Sequence, residues 1–341
     1  MPIELRHAGI TRLFVARQLT EQAFVIRKYL FLFIFLSFSA LAQHYPSRPI
    51  RLIVPQGAGG STDIISRITA ARMSVQMNQP IVIDNRTGAG GTIGVEIAAN
   101  SAPDGYTLVL SATSTHALNP SLRKVPYDPL RDFEAITLIA TTPYVLVVHP
   151  SLAANNAADL IKLARAKPGA IHYASSGNGT MPQLTAELFK SMAKIDLLHV
   201  PYKSSPPALA DVMGGRVPVF FAGVPTTLPH IKANRIRALG VTSLKRTVAL
   251  PDLPTIAESA IPGYEAVPWI GLVAPAKTPK HIIAKLNREV AAALAAPEVR
   301  DQLLMQGAEP GADTPESHAR YIASERRKWA QVIADIGVKA D

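Results

Sequence analysis

Residues 51–63 read RLIVPQGAGGSTD, an apolar β-rich run at 51–54 that stops at a proline, passes through a glycine-rich loop and opens into helical spacing. A strand that ends in glycines and starts a helix is the repeating unit of an α/β fold. Beyond the loop, Ile64, Ile68, Ala71 and Val75 recur at intervals of three and four, which predicts a helix over 63–77 with one face on a sheet. Ser61 or Thr62 is the expected N-cap. The unit then repeats: strands are expected at 81–83 and 106–110, separated by a second glycine loop at 88–91 and a helix through Glu96. Further strands are expected at 144–148, 171–174, 217–222, 236–241 and 270–274, with helices between them. From Pro279 the chain reads as nearly all helix, at 282–295, 297–306 and 315–336.

This alternation indicates an α/β fold with largely parallel sheets. A doubly wound chain that returns to its first domain predicts a two-lobed molecule with two crossover segments and a ligand cleft between the lobes. The crossings are expected near 141–143 and 267–271. They divide lobe 1, 43–142 with 271–341, from lobe 2, 143–270.

At the N-terminus, Arg27 and Lys28 precede an uncharged run, YLFLFIFLSFSALA, that ends at Ala42. Its length suits a secretory signal peptide better than a bilayer span, and Ala40-Leu41-Ala42 supplies the small-residue cleavage pattern. Export to the periplasm is therefore expected, with a mature chain starting at Gln43. The polar lead over residues 1–26 is longer than an n-region needs, as an early start codon would produce. The whole chain carries 35 Lys+Arg and 25 Asp+Glu; without the five basic and two acidic residues of 1–42, the mature part keeps 30 against 23, or +7. That charge suits anionic small molecules and equally suits solubility. The basic residues are scattered, with Arg326-Arg327-Lys328 the one tight run, which argues against nucleic-acid binding. The sequence has no cysteine, so disulfides, thiolate chemistry, Cys-ligated metals and a lipidated cysteine anchor are excluded. A chain of this length can bury a sufficient core without disulfides.

The glycine-rich loop Gln56, Gly57, Ala58, Gly59, Gly60, Ser61, Thr62 and Asp63 bares backbone amides at a helix start, where a carboxylate or phosphate binds without any lysine or arginine. It is equally compatible with a tight strand-to-helix turn whose glycines serve geometry alone. Replacing Gly60 with a bulkier residue such as valine is expected to damage affinity more than removing any one nearby cationic side chain, because valine disfavours unusual backbone angles and blocks close approach. Dinucleotide binding fits poorly, because Ser61 and Thr62 stand where the third glycine or alanine of that fingerprint belongs, and no Gly-Lys-Ser/Thr follows for a P-loop. No cofactor is expected. A second polar loop, Ser175, Ser176, Gly177, Asn178, Gly179 and Thr180, repeats the arrangement in the other lobe. Thr113, Ser114, Thr115 and His116 follow a strand at the expected cleft rim, where the hydroxyls are candidates for ligand contact and His116 is more simply a structural histidine. Ala222 and Gly223 end a strand on the other side of the cleft. The histidines show no metal spacing, no GxSxG elbow is present, and Asp63, Asp84 and Asp211 read as caps and surface acids. No catalytic residue is expected.

Several ordered motifs share one resemblance. They are Tyr45-Pro46-Ser47-Arg48-Pro49-Ile50, then VPQGAGGSTD from Val54, Asp84-Asn85-Arg86 with GAGG, and Ala102-Pro103-Asp104-Gly105-Tyr106-Thr107-Leu108. Val125-Pro126-Tyr127-Asp128 with Asp132-Phe133, Pro201-Tyr202-Lys203, Leu253-Pro254-Thr255-Ile256-Ala257-Glu258, and Ala274-Pro275 before Pro279 follow. In this order they resemble the Bug family, the substrate-binding proteins of tripartite tricarboxylate transporters, over the whole mature chain. The resemblance implies a periplasmic binding protein fold, capture of a small carboxylate by the loops named above, delivery to cognate membrane permease subunits, and no catalysis. A monomer is expected. A carboxylate sensor signalling to a membrane partner is the alternative role, and an enzyme acting on a carboxylate the more remote one. The chain departs from the family at Gln56-Gly57-Ala58, where an aromatic residue is usual. Glutamine can hydrogen-bond a polar substituent that a ring would only pack against. The segment ending at Ala222 and Gly223 offers no acid to a ligand ammonium group, which argues against an amino acid.

Overall fold

The computed structural model describes residues 45–337, and its helices and strands all fall within Arg48–Asp341. The expected signal peptide and its cleavage site lie outside the described residues. The first run of elements is β1 Ile50–Val54, α1 Ser61–Met77, β2 Ile81–Asn85, a 3-10 turn Ala89–Gly91, α2 Thr92–Ala99, β3 Thr107–Ala112, a π-helical turn Thr113–Leu118, α3 Asn119–Leu122 and β4 Phe133–Thr141. The second is β5 Tyr144–Val148, α4 Ala157–Ala166, β6 His172–Ser175, α5 Met181–Ala193, β7 Leu198–Pro201, α6 Ser205–Met213, β8 Val219–Gly223, α7 Val224–Lys232, β9 Arg237–Val241 and α8 Ile256–Ser259. The last is β10 Trp269–Pro275, α9 Lys280–Ala295, α10 Pro297–Met305, β11 Glu309–Pro310 and α11 Pro315–Ile336.

Two sheets result, one per lobe. The first runs β11-β4-β10-β3-β1-β2 and the second β7-β6-β8-β5-β9. Strands β2, β1 and β3 are parallel to one another, as are β7, β6 and β8. The strands nearest the crossings are not: β10 lies antiparallel between β3 and β4, and β5 antiparallel between β8 and β9. The expectation of largely parallel sheets therefore needs correction. A chain that leaves one sheet at the end of β4 and re-enters it through β10 must run those strands in opposite directions. The passage out is Thr142-Pro143, the passage back precedes Trp269, and the two are tied where the Thr142 N–H donates to the Pro268 carbonyl at 3.0 Å.

Central strands read as continuous apolar runs because both faces are covered. Ile50, Ile53 and Val54 of β1 are fully buried, as are Val219, Phe220 and Phe221 of β8. The C-terminal helix joins both cores. Ile322 of α11 packs with Ile53, Val109 and Val273 of the first lobe, whereas Trp329 and Ile333 pack with Leu146, Tyr173 and Phe221 of the second.

Candidate functional site

In each lobe, helix N-termini sit just beyond the carboxyl ends of the strands, where open α/β sheets place their ligands. These ends face a cavity of about 450 Å³ walled by residues of both lobes. The expected N-cap is not the observed one. Gly60 caps α1, with no side-chain cap hydrogen bond, so Ser61 and Thr62 are already helical. The same holds at the other helices that open on the cavity: Gly91 caps α2, Thr180 caps α5, Ser204 caps α6 and Gly223 caps α7, each without a side-chain cap. By contrast α4, α8 and α11 point elsewhere and are capped by Asn156, Thr255 and Thr314. Uncapped helix starts leave amide donors and the positive end of the helix dipole for something else. This holds chiefly at α1, α5 and α7, because Pro206 and Pro207 of α6 carry no N–H and the Thr92 N–H of α2 donates to the Ala89 carbonyl.

The first loop is shaped by Asp63, which is buried and does not line the cavity. Its carboxylate accepts from the Gly59 N–H at 2.9 Å, Arg67 Nε at 2.9 Å and Asn85 Nδ2 at 3.0 Å. Burial works against its charge, but the Arg67, Gly59 and Asn85 hydrogen bonds outweigh it and hold the carboxyl below its ordinary value. Asp63 is thus a brace for the loop, not a surface acid. The Gly60 N–H is also used, donating to the Gly57 carbonyl at 3.1 Å. With the Gly59 and Gly60 N–H groups taken, the amides of Ser61 and Thr62 at the start of α1 stay available on the cavity side, beside those of Gln56 and Gly57 earlier in the loop. Gly60 itself has extended angles (φ −76, ψ 163) that any residue adopts, so the backbone reason for a glycine there fails. Gly91 is the stricter case: at φ +97, an added Cβ would lie 2.7 Å from Thr115 Cγ2.

Of the residues singled out from sequence, Gln56, Gly57, Gly60, Ser61 and Thr62 line the cavity from the first loop. Ser176, Gly177, Asn178 and Thr180 line it from the second, with Ser114 and Gly223. Ala58 and Gly59 are exposed and do not line the cavity, Gly179 and Ala222 are buried behind its wall, and Ser175 is buried with its Oγ 2.6 Å from His199 Nε2. Thr113, Thr115 and His116 are also buried. Thr113 Oγ1 accepts from the Trp269 N–H at 2.9 Å, and Thr115 Oγ1 shares a hydrogen bond with His116 Nδ1 at 3.0 Å. Burial, with repulsion from His318, lowers His116 to about 3, so it is neutral at physiological pH and packs 5.3 Å from the Phe133 ring.

Sequence reasoning missed other parts of the wall. The loop Thr87, Gly88, Ala89, Gly90 and Gly91 is one, visible in the sequence as a second GAGG but not taken as a site. Tyr144 is another, its phenol kept protonated by burial and so a hydrogen-bond donor. Tyr202, Lys203, Ser204 and Ser205 close the second-lobe side, and Arg123 reaches in from beyond α3. Among the described residues that line it there is no Asp or Glu, and the two cations are Arg123 and Lys203.

The lobes touch around the cavity. Ser61 Oγ and Thr226 Oγ1 share a hydrogen bond at 2.8 Å, and Arg123 Nη2 donates to the Asn178 carbonyl at 2.9 Å. The structure is therefore closed, with room for a small molecule. Among the described residues, no cluster of three His, Asp or Glu could hold a metal ion, and no helix is long and apolar enough to cross a membrane.

A model of the tripartite tricarboxylate transporter family receptor matches residues 65–338. The chain is 38% identical to Protein BugT of Bordetella pertussis over 300 residues, covering 87% of this chain and 92% of that one. The structure of R. palustris Rpa4515 with adipate matches with a TM-score of 0.84 at 39% identity, over 86% of this chain and 99% of the other. That of MatC (Rpa3494) from Rhodopseudomonas palustris with bound malate matches with a TM-score of 0.80 at 30% identity, over 85% and 100%.

Proposed function

Since the chain belongs to the tripartite tricarboxylate transporter receptor family, we propose that this solute-binding receptor captures a small carboxylate between its lobes and delivers it, as a monomer, to the permease subunits of such a transporter. Receptors of this family are periplasmic binding proteins, and export through the N-terminal signal peptide fits that setting.

One observation carries the carboxylate reading: several uncapped helix N-termini converge on a cavity with no acid among the described residues of its wall. A helix-end charge interaction contributes about 0.3 to 1 kcal/mol, and up to about 2 when partly buried. Each hydrogen bond to a charged group adds about 1.5 to 3 kcal/mol. Two or three such bonds with the dipoles, and some buried apolar surface, reach the roughly 8 kcal/mol of micromolar binding. The lack of an acid leaves no partner for an ammonium group, which disfavours amino acids. The adipate and malate held by two of the relatives support an acid of this size. Gln56 lines the wall, and its buried Oε1 has no hydrogen-bond partner among the described residues, so hydroxylated acids are natural candidates.

A thermal-shift panel of mono-, di- and tricarboxylates, with malate and adipate included, tests this. A ligand at one hundred times its Kd stabilises by about 2.7 kcal/mol, a plain rise in melting temperature. Deleting the gene should then abolish uptake of the acid that scores. A panel with no stabilising acid, beside a neutral sugar or amine that does stabilise, would refute the proposal.

A further inference from the structure

We infer that Arg123 makes this receptor prefer an acid with a second anionic group over the matching monocarboxylate, and that it does so only when the lobes are closed. The inference rests on the carboxylate reading above and names what lies at the other end of the ligand.

Arg123 follows α3 in the first lobe with extended backbone (φ −152, ψ 163) and reaches across to the second. What it meets there is a neutral carbonyl, that of Asn178, and not a carboxylate. No Asp or Glu among the described residues forms an ion pair with it, and its Nε is buried without a hydrogen-bond partner. A guanidinium is always charged and offers five donors in a planar fork. Here most of that fork has no partner among the described residues, none of which places an acid in the cavity wall. A charge taken partly out of water without a counter-charge is unfavourable, and an anion in the cavity removes the penalty.

The site is also shaped around this side chain. At Gly179 (φ +75) an added Cβ would fall against Arg123 Nη2 and 2.7 Å from Asn119 Oδ1, so the glycine clears the space that the guanidinium occupies. This end of the cavity is distinct from the other. Asn178 O and Asn119 lie beside Gly90, whereas Ser61 meets Thr226 and Gly223 where α1 and α7 begin. Helix N-termini take one carboxylate at the second place, and Arg123 takes another at the first, in the bidentate geometry that suits its fork. Lys203 does not compete for this role. It lines the cavity but is exposed, so water meets its charge and screens it.

Calorimetry with succinate, glutarate and adipate beside butanoate, pentanoate and hexanoate tests the inference. For the diacid that binds best, wild type should exceed the monoacid of equal length by about 30-fold or more. Arg123→Gln should remove most of that ratio, weakening the diacid by about 30-fold and the monoacid by less than about 3-fold. Arg123→Lys, which keeps the charge and loses the fork, should fall between, and Lys203→Gln should weaken either acid by less than about 3-fold, because its exposed charge is screened. Melting temperatures without ligand confirm that each variant is folded. If Arg123→Gln weakens both acids by one factor, or leaves the diacid untouched, Arg123 is a lobe contact only and the inference fails alone. If wild type binds no acid of either series, the carboxylate reading falls and the role of Arg123 falls with it.

Discussion

Gly223→Ala should weaken carboxylate binding by about 100-fold while leaving the melting temperature of the free protein nearly unchanged. Gly223 has ordinary extended angles (φ −63, ψ 144), so alanine brings no backbone strain. The added methyl would instead lie 2.8 Å from Ser61 Cβ, and within contact of Ser61 Oγ, on the opposite lobe. Overpacking of a fixed contact costs about 1 to 3 kcal/mol, and here it is felt only when the lobes meet. Scattering in excess acid should accordingly show wild type compact and Gly223→Ala expanded. The double variant Ser61→Gly with Gly223→Ala removes the opposing atoms and should recover part of the affinity. Undiminished binding by Gly223→Ala would mean that the observed approach of the lobes plays no part in holding the ligand.

Asp63→Ala should be the most damaging change to the first loop, lowering stability by about 3 kcal/mol and carboxylate affinity with it. It leaves the Gly59 amide, the Asn85 amide group and Arg67 without their common acceptor. The loop that sets the start of α1 then loses its brace. The pH dependence has a definite sign. Because the folded carboxyl is held below its ordinary value of 3.8, its charge stabilises the fold at neutral pH and down to that value. That contribution is lost as pH falls further, through the lowered folded pKa. The stability gap between wild type and Asp63→Asn, by urea unfolding, should thus be full at pH 7 and shrink below about pH 4. A gap that widened with acid, or an Asp63→Ala protein as stable as wild type, would contradict the role given to this residue.

Much of the fold was legible because burial leaves a periodic record. The β5 strand falls at 144–148 and α11 at 315–336 as expected, and most other elements differ by one to three residues at their ends. The longest strand, β4, escaped notice for a physical reason. Its ladder with β10 shifts register twice, stepping past Ile136 and Ile139, and these bulges break the two-residue alternation that marks a strand. The short edge strand β7 was missed as well, and Leu198 within it is exposed. The bridging position of Trp329 and Ile333 between lobes is tertiary information that helical periodicity does not contain.

At the site, the glycine loops were readable as loops because glycine and helix spacing are local signals. Which amides remain free was not. That depends on Asp63 and on the Gly57 carbonyl taking up the Gly59 and Gly60 N–H groups, contacts that form only in the folded loop. Ser114 and its neighbours show the same limit: four adjacent polar residues look alike in sequence, yet Ser114 alone of them lines the cavity. Arg123 had no local signal, being one scattered basic residue that meets Asn178 across 55 positions of chain.

The most direct measurement is a crystal structure of the mature chain with the acid that binds best in solution. The result expected is a closed molecule with a carboxylate in this cavity, its oxygens within about 3.2 Å of main-chain N–H groups at helix starts, those of Ser61 and Thr62 first among them. A ligand bound outside the cavity, or a carboxylate held by lysine or arginine side chains with those amides left to water, would contradict it.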